Sequence, residues 1–344
     1  MSVPFVHLKV HSEFSLVDGT IRLKPLMKKL ASYKMPAVAL TDQSNMCALV
    51  KFYNGAMGTG IKPIIGVDLW LRNLDEDENP SRITLYARNE TGYRNITELV
   101  SRGFTEGQRY DKAIVDKEWI EEASEGVIAL SGAKFGEIGR ALLSGKKELA
   151  KERLRYWMGV FPDSFYLELQ RTARINDEEC LHLSVELAAE MNCPVVATND
   201  VHFMETEDFE AHETRVCIHD SCTLDDPRRN KLYSPEQYLK SPEEMAELFS
   251  DIPEALENTL EIAKRCSVEV QLGEYFLPNY PIPEGMTMDE FFRRISEEGL
   301  EERLETILDK SADDYQEKRQ PYLDRLKFEL DIIIQMGFPG YFLI

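Results

Sequence analysis

Residues 7–19 read HLKVHSEFSLVDG. Side chains on an extended strand alternate with period two, so His7, Lys9 and His11 are expected on one face. Two imidazoles at that spacing suggest a metal site, but an ammonium has three donors and no lone pair and cannot ligate while charged. The question the stretch poses is whether Lys9 stands where a cation would otherwise be.

Outward from this segment, short β-branched and aromatic runs alternate with amphipathic ones. Strands are expected at 5–10, 36–41, 63–71, 83–87, 127–131, 165–169 and 194–198. Helical patterns fall between most of them, at 24–34, 46–57, 92–101, 137–143, 147–160 and 177–191. About seven strand–helix repeats argue for parallel strands with crossover helices, closed into a barrel. No GxGxxG turn follows an early strand, which counts against a dinucleotide-binding sheet.

Polar residues then recur where strands end: His11, Asp42, Gln43, Asp68, Ser131, Thr172, Asp200 and His202. In a parallel barrel all those ends open on one face. His7, His11, Asp68, Asp200 and His202 make a plausible nitrogen–oxygen ligand set. Lys9 is expected to pair with these carboxylates, Asp200 in particular, because they would otherwise carry uncompensated charge. Asp18 precedes Gly19, a common turn pair whatever the function. The Cys217-x-His219-xx-Cys222 spacing fits no common zinc pattern and reads as core or loop cysteine.

After residue 204 the pattern changes. Residues 205–229 read as a loop-rich extension. Ser241-Pro-Glu-Glu244 and Asp251-Ile-Pro-Glu254 open helices. The proline-rich PNYPIPEG (278–285) reads as a linker. Thr287 and Glu290 form a capping box for a helix through about 308, and another helix over 322–336 stops at Gly337. The apolar end GYFLI reads as a cut within a longer protein.

The 344 residues carry a net charge of −21, which repels phosphate backbones and makes this chain alone a poor binder of nucleic acid. No run of 18 apolar residues and no secretory signal is visible, and six scattered cysteines without a CxxC suit a reducing cytoplasm. The acidic run Asp75–Glu78 reads as a solvated face.

The segments HLKVHSEFSLVDG, ALTDQSNM, KPIIGVDLWL, IALSGAKFGEI, FYLELQRTAR and PVVATNDVHF, in this order, resemble the PHP (polymerase-and-histidinol-phosphatase) domain family. With TLDDPRRNKLYSPEQYL, GEYFLPNYP and LDIIIQMGFPGYFLI, they resemble its form at the N-terminus of proteobacterial-type DNA polymerase III alpha subunits, the C-family replicative polymerases. The resemblance implies an α/β fold: a PHP-type distorted (β/α)7 barrel over 1–275, including an extension at about 205–275. It further implies a linker and the first palm/thumb helices over 276–344.

The family's metal-binding form holds several divalent ions at the strand ends. This sequence has Lys9, Gln43, Ala133 and Thr172 at four ligand positions, and Asp68 where the family has glutamate. His7, His11, Asp18, Asp200 and His202 remain. The resemblance therefore implies a vestigial site with room only for weak Zn2+, Mn2+ or Mg2+ binding, and no catalytic residue in this chain. It implies a parent that is a DNA-directed DNA polymerase using Mg2+, contacting DNA through other domains. The implied partners are the proofreading exonuclease subunit (epsilon) and further holoenzyme subunits. The rival expectation is a surviving metal-dependent phosphoesterase or pyrophosphatase using His11, Asp18, Asp200 and His202.

Overall fold

The computed structural model describes residues 5–73, 79–274 and 278–344. The acidic run Asp75–Glu78 and the expected domain boundary at 275/276 lie outside the described residues. Residues 5–12 are extended and buried throughout, and they hydrogen-bond on both sides. Ala39 N–H donates to the His7 carbonyl and Thr41 N–H to the Val10 carbonyl, each at 2.9 Å. On the other side Val201 N–H donates to the Lys9 carbonyl (3.1 Å) and His11 N–H to the Val201 carbonyl (2.8 Å). The first segment thus joins the two ends of a sheet and closes it.

From this segment the chain runs through α1 (Leu23–Ser32), β1 (Ala37–Leu40), α2 (Leu49–Thr59), β2 (Lys62–Leu71) and β3 (Ser81–Ala87). Then come α3 (Glu90–Thr105), a small hairpin of β4 (Gln108–Arg109) and β5 (Lys112–Val115), α4 (Lys117–Glu122) and β6 (Val127–Leu130). The circuit ends with α5 (Glu137–Leu143), α6 (Lys147–Val160), β7 (Phe165–Gln170), α7 (Asp177–Met191) and β8 (Val195–Thr198). Around the ring the order is the first segment, β1, β2, β3, β6, β7, β8. The β1–β2, β6–β7 and β7–β8 pairs are parallel.

The wholly parallel expectation fails at β3, which runs antiparallel to both β2 and β6. Residues 72–80 are too few for a crossover helix, so β3 returns as a hairpin. The α4 helix and the β4–β5 hairpin were not anticipated from the sequence.

Inside the barrel an apolar layer lies below a polar one. Val6, Leu8, Ile64, Tyr86, Ile128, Tyr166 and Val196 form the lower layer. Gly66 leaves the space Tyr86 needs: a Cβ there would lie 2.7 Å from Tyr86 Cδ1. The Tyr86 hydroxyl donates to the Leu8 carbonyl at 2.6 Å. Ile262 and Ala263, from the helix over Pro253–Arg265, and Cys266 just after it add to this layer.

The first segment does not alternate strictly. It advances three residues, His7 to Val10, while its partner advances two, Ala39 to Thr41. This one-residue bulge puts Leu8 and Lys9 on the same side. His7 therefore does not share a face with Lys9 and His11, contrary to the period-two reading.

Residues 205–229 are not simply loop. They contain α8 (Phe209–His219), introduced by a reciprocal Glu205–Asp208 capping box. The chain continues into α9 (Pro242–Leu248), capped by Ser241 and Glu244 as expected, and α10 (Pro253–Arg265). These elements belong to a compact unit reaching to Val270.

A second unit, Gln271–Ile344, holds α11 (Met288–Ile307), α12 (Tyr315–Gln335) and α13 (Pro339–Leu343). The Thr287–Glu290 box caps α11 as read from sequence. Helix α12 begins seven residues before the expected Tyr322, with Pro321 inside its second turn. Gly337 (φ +75°) follows it. No helix among the described residues is long and apolar enough to cross a membrane.

Candidate functional site at the barrel mouth

The polar layer gathers at the mouth, where the parallel strands end. Lys9 Nζ lies 3.3 Å from Asp68 Oδ2 and 3.7 Å from Glu168 Oε1, and donates to Thr84 Oγ1 at 3.2 Å. The lysine is 2% exposed and Asp68 is fully buried. Burial alone would push the ammonium toward its neutral form. Asp68, Glu168 and Asp200 more than offset this, so its pKa is raised and it stays charged. Burial likewise disfavours the charged Asp68, but Lys9 and Arg82 hold its pKa below the ordinary value.

Two guanidiniums complete the compensation. Arg82 enters from β3, with Nη1 3.4 Å from Asp68 Oδ2 and Nη2 3.6 Å from Asp18 Oδ2, and it stacks 4.6 Å from the Trp70 ring. Arg174, just after β7, donates to Asp200 Oδ2 (2.9 Å) and Gln170 Oε1 (2.8 Å). Asp200 therefore takes Arg174, not Lys9, as its direct cation. Glu168 Oε1 accepts from the Thr198 hydroxyl at 2.6 Å and the Gln170 amide at 2.8 Å.

Asp18 sits in the turn after the first segment. It accepts from His11 Nδ1 (3.0 Å), the Ser15 hydroxyl (2.7 Å) and the Tyr233 hydroxyl (3.3 Å). Its backbone carbonyl accepts from His202 Nδ1 and His212 Nε2, both at 2.9 Å. Burial opposes the charge on Asp18, but His11, His202 and Arg82 hold its pKa well below the ordinary value. Against the pull of burial, Asp18 and Asp68 hold His11 up to about 10. His212 goes the other way, to about 4, through burial and the nearby His202.

The other expected residues lie elsewhere or have other partners. His7 Nε2 meets the Lys240 carbonyl at 2.8 Å, its ring stands edge-on to Phe5, and burial pushes it down to about 4. The Gln43 amide donates to the Asp68 carbonyl at 2.9 Å. Ala133 offers no donor atom. The Thr172 hydroxyl turns to Asp177 at 2.6 Å. Asp42 accepts from Ser12 N–H and Oγ, yet burial still raises it to about 6.

Do these residues fit the family's metals? A cluster of several ions does not fit, because Lys9 brings a positive charge, Ala133 has no donor atom, the Thr172 hydroxyl is engaged with Asp177, and Gln43 offers only a neutral amide oxygen. Among the described residues, the group of His, Cys, Asp and Glu brought close enough for an ion is His11, Asp18 and His202. His11 Nε2, Asp68 Oδ2, Asp200 Oδ1 and His202 Nε2 are buried without a hydrogen bond. His11 Nε2 lies 3.6 Å from Asp68 Oδ2, and His202 Nε2 lies 3.4 Å from Asp200 Oδ1. Ligands about 2.1 Å from one tetrahedral zinc stand about 3.4 Å apart. Each pair alone is spaced to share an ion, which at His11 would have to displace a proton, but Asp68 and Asp200 fall outside the group close enough for one ion, and Asp68 Oδ2 already faces Lys9 and Arg82.

Sequence reasoning missed Arg82, Glu168, Arg174, His212 and Tyr233. Glu168 carried a usable signal: it is the one charged residue in the FYLELQ strand, and a buried acid needs an interior partner.

Residues 7–172 match the PHP domain, and residues 290–344 match the bacterial DNA polymerase III alpha NTPase domain. The DNA polymerase III subunit alpha of Pseudomonas aeruginosa is 65% identical over 344 residues, 100% of this chain and 29% of that protein. That of Escherichia coli K12 is 50% identical over 345 residues, 100% of this chain and 30% of that protein. The chain thus spans less than a third of the length of these curated relatives. Among solved structures, an amidohydrolase from Chromobacterium violaceum with bound sulfate and no metal has a TM-score of 0.40 at 12% identity, covering 61% of this chain and 96% of that one.

Proposed function

The chain belongs to the bacterial DNA polymerase III alpha subunits, as the N-terminal region that carries their PHP domain, and from that premise we propose that its barrel is a scaffold that no longer hydrolyses. The parent is then a cytoplasmic DNA-directed DNA polymerase that uses Mg2+ in other domains. The barrel organises the parent's N-terminus and docks the proofreading exonuclease subunit. DNA and the remaining holoenzyme subunits engage the parent elsewhere. A chain of net charge −21 suits a protein partner better than a phosphate backbone.

The observation that carries this reading is the Lys9 ammonium, 3.3 Å from Asp68 and 3.7 Å from Glu168 inside the barrel. It supplies fixed positive charge where catalysis would need an open metal position and an activated water. The test is elemental analysis with a phosphate-release assay on p-nitrophenyl phosphate and pyrophosphate, with and without chelator, alongside binding of the purified exonuclease subunit. The expected result is no multi-ion site, no chelator-sensitive phosphate release and retained binding. Two or more ions per chain with chelator-sensitive release would refute the scaffold reading.

A specific observation favours one second reading. His11 Nε2 and His202 Nε2 are buried without a hydrogen bond, and with Asp18 these two histidines lie close enough together to hold a single divalent ion. An ion bound there would supply a polarised water for a residual phosphoesterase. Asp18 would orient His11 through Nδ1, leaving Nε2 for the ion. Loss of both bound metal and phosphate release in Asp200→Ala would support that reading.

A further inference from the structure

The C-terminal turn of α8 brings two cysteines together. Cys222 N–H donates to the Cys217 carbonyl (3.0 Å), Ser221 N–H donates to the Ile218 carbonyl (3.4 Å), and Ser221 has φ +54°. A helix that ends with this nested pair of bonds packs the side chains of its two outer positions against each other. Here both outer positions are cysteine. The 3.0 Å bond from Cys222 N–H to the Cys217 carbonyl sets the two cysteine backbones side by side. The Arg229 guanidinium donates to Cys217 Sγ at 3.7 Å and pairs with Glu213. Cys217 is buried and Cys222 half-buried, so Cys222 is the sulfur a small oxidant meets first.

None of the other cysteines has this arrangement. Cys180 contacts the Ser184 hydroxyl and Cys193 contacts backbone carbonyls. Cys266 is buried, and Cys47 is exposed.

We propose that Cys217 and Cys222 form a dithiol modification site, oxidised in place to a disulfide by a peroxide and reversed by a small-molecule thiol. The Cys222 sulfur attacks one peroxide oxygen. The O–O bond breaks, and the departing oxygen leaves as water with the thiol proton. Cys217 then attacks the Cys222 sulfur: the S–S bond forms, the S–O bond breaks, and the hydroxyl leaves as water with the second thiol proton. One peroxide and two thiols give one disulfide and two waters. Arg229 donates to the Cys217 sulfur at 3.7 Å, so its charge lies beside the sulfur that must lose its proton to attack. Desolvation and the contact with Cys217 raise the Cys222 pKa, so oxidation quickens as pH rises.

The site bears on the barrel mouth because of what α8 holds. His212 donates to the Asp18 carbonyl, and Arg215 donates to the carbonyls of Glu13 and Leu16. A cross-link at the end of α8 would fix the helix that covers the mouth.

The test treats the purified full-length subunit with hydrogen peroxide, blocks free thiols with iodoacetamide and digests with trypsin without reductant. The tryptic peptide 216–228 contains both cysteines. It is expected two hydrogens lighter and unalkylated, and doubly alkylated after prior dithiothreitol. In Cys217→Ser, Cys222 should be trapped as a dimedone adduct of its sulfenic acid. In Arg229→Gln the disulfide should form more slowly. Doubly alkylated peptide at a peroxide dose that oxidises Cys47, or Cys222 carried on to its sulfinic acid with no disulfide formed while Cys217 is intact, would overturn the proposal.

Discussion

Replacing Lys9 by methionine keeps a long stem and removes the charge. At an effective dielectric of about 20, unit charges separated as Lys9 is from Asp68 and Glu168 attract by roughly 5 and 4.5 kcal/mol. Desolvating each ion offsets several kcal/mol of that gain. The variant loses more than the net worth of the pairs, because two carboxylates stay buried without the ammonium. Such truncations cost about 3–5 kcal/mol. Arg82 still faces Asp68 at 3.4 Å, which puts the expectation near the lower end. With an unfolding entropy of about 2.1 cal/mol/K per residue, a unit of this size shifts by about 5–9 °C in Tm, read by calorimetry or circular dichroism. Adding Asp68→Asn should recover part of the loss, with a coupling of about 1 kcal/mol or more. The sign with pH is fixed. Asp68 has a lowered pKa, so its pairing stabilises above the ordinary value of 3.8 and is lost as pH falls through its folded value. The cost of Lys9→Met should therefore shrink in acid. A Tm within about a degree of the parent at neutral pH would show the ammonium to be solvated and refute the reasoning.

His7 binds fewer protons folded than unfolded, so its contribution is present above its ordinary 6.5 and lost as pH falls toward about 4. Urea melts at pH 7 and 4.5 should show a loss of up to about 3 kcal/mol that His7→Gln, which can still donate to Lys240, does not show. Gly66→Ala should cost about 1–3 kcal/mol and alter the near-ultraviolet dichroism of Tyr86, because the new methyl overlaps that ring. Lys9→His combined with Gln43→His should bind zinc stoichiometrically by calorimetry where the parent does not, and no gain would mean the mouth has repacked around its cations.

The sequence pattern located the barrel because the buried strands are short, β-branched runs separated by amphipathic helices. It also found the residues that end parallel strands, since their chain direction fixes which face they reach. Arg82 escaped for the converse reason. It stands near the start of β3, where a parallel strand would put it at the floor, and the hairpin return carries it to the mouth. His7 was misplaced by the bulge between His7 and Val10, which strict alternation cannot register. His212 was hidden because α8 has no broad apolar stripe: its buried residues include His212 and Glu213, so the segment looks like loop.

The charge balance at the mouth explains why one lysine decides so much. Asp18, Asp68, Glu168 and Asp200 supply four buried carboxylates. Lys9, Arg82 and Arg174 supply three covalently anchored cations, and His11, held up to about 10, supplies a fourth. These four carboxylates and four cations cancel formally with no ion bound, and Asp42, raised to about 6, lies beyond them against Ser12. Adding several dications to this set would bury positive charge without a partner, at a cost larger than the remaining ligands could offset. A cluster could return only if Lys9, Arg82 or Arg174 left the interior. Lys9 reaches in from the first segment and is held by Asp68 of β2, Thr84 of β3 and Glu168 of β7. A single ion asks less: it displaces one proton from His11 and changes the balance by one unit. The cations that balance these carboxylates are covalently part of the chain and do not depend on metal supply.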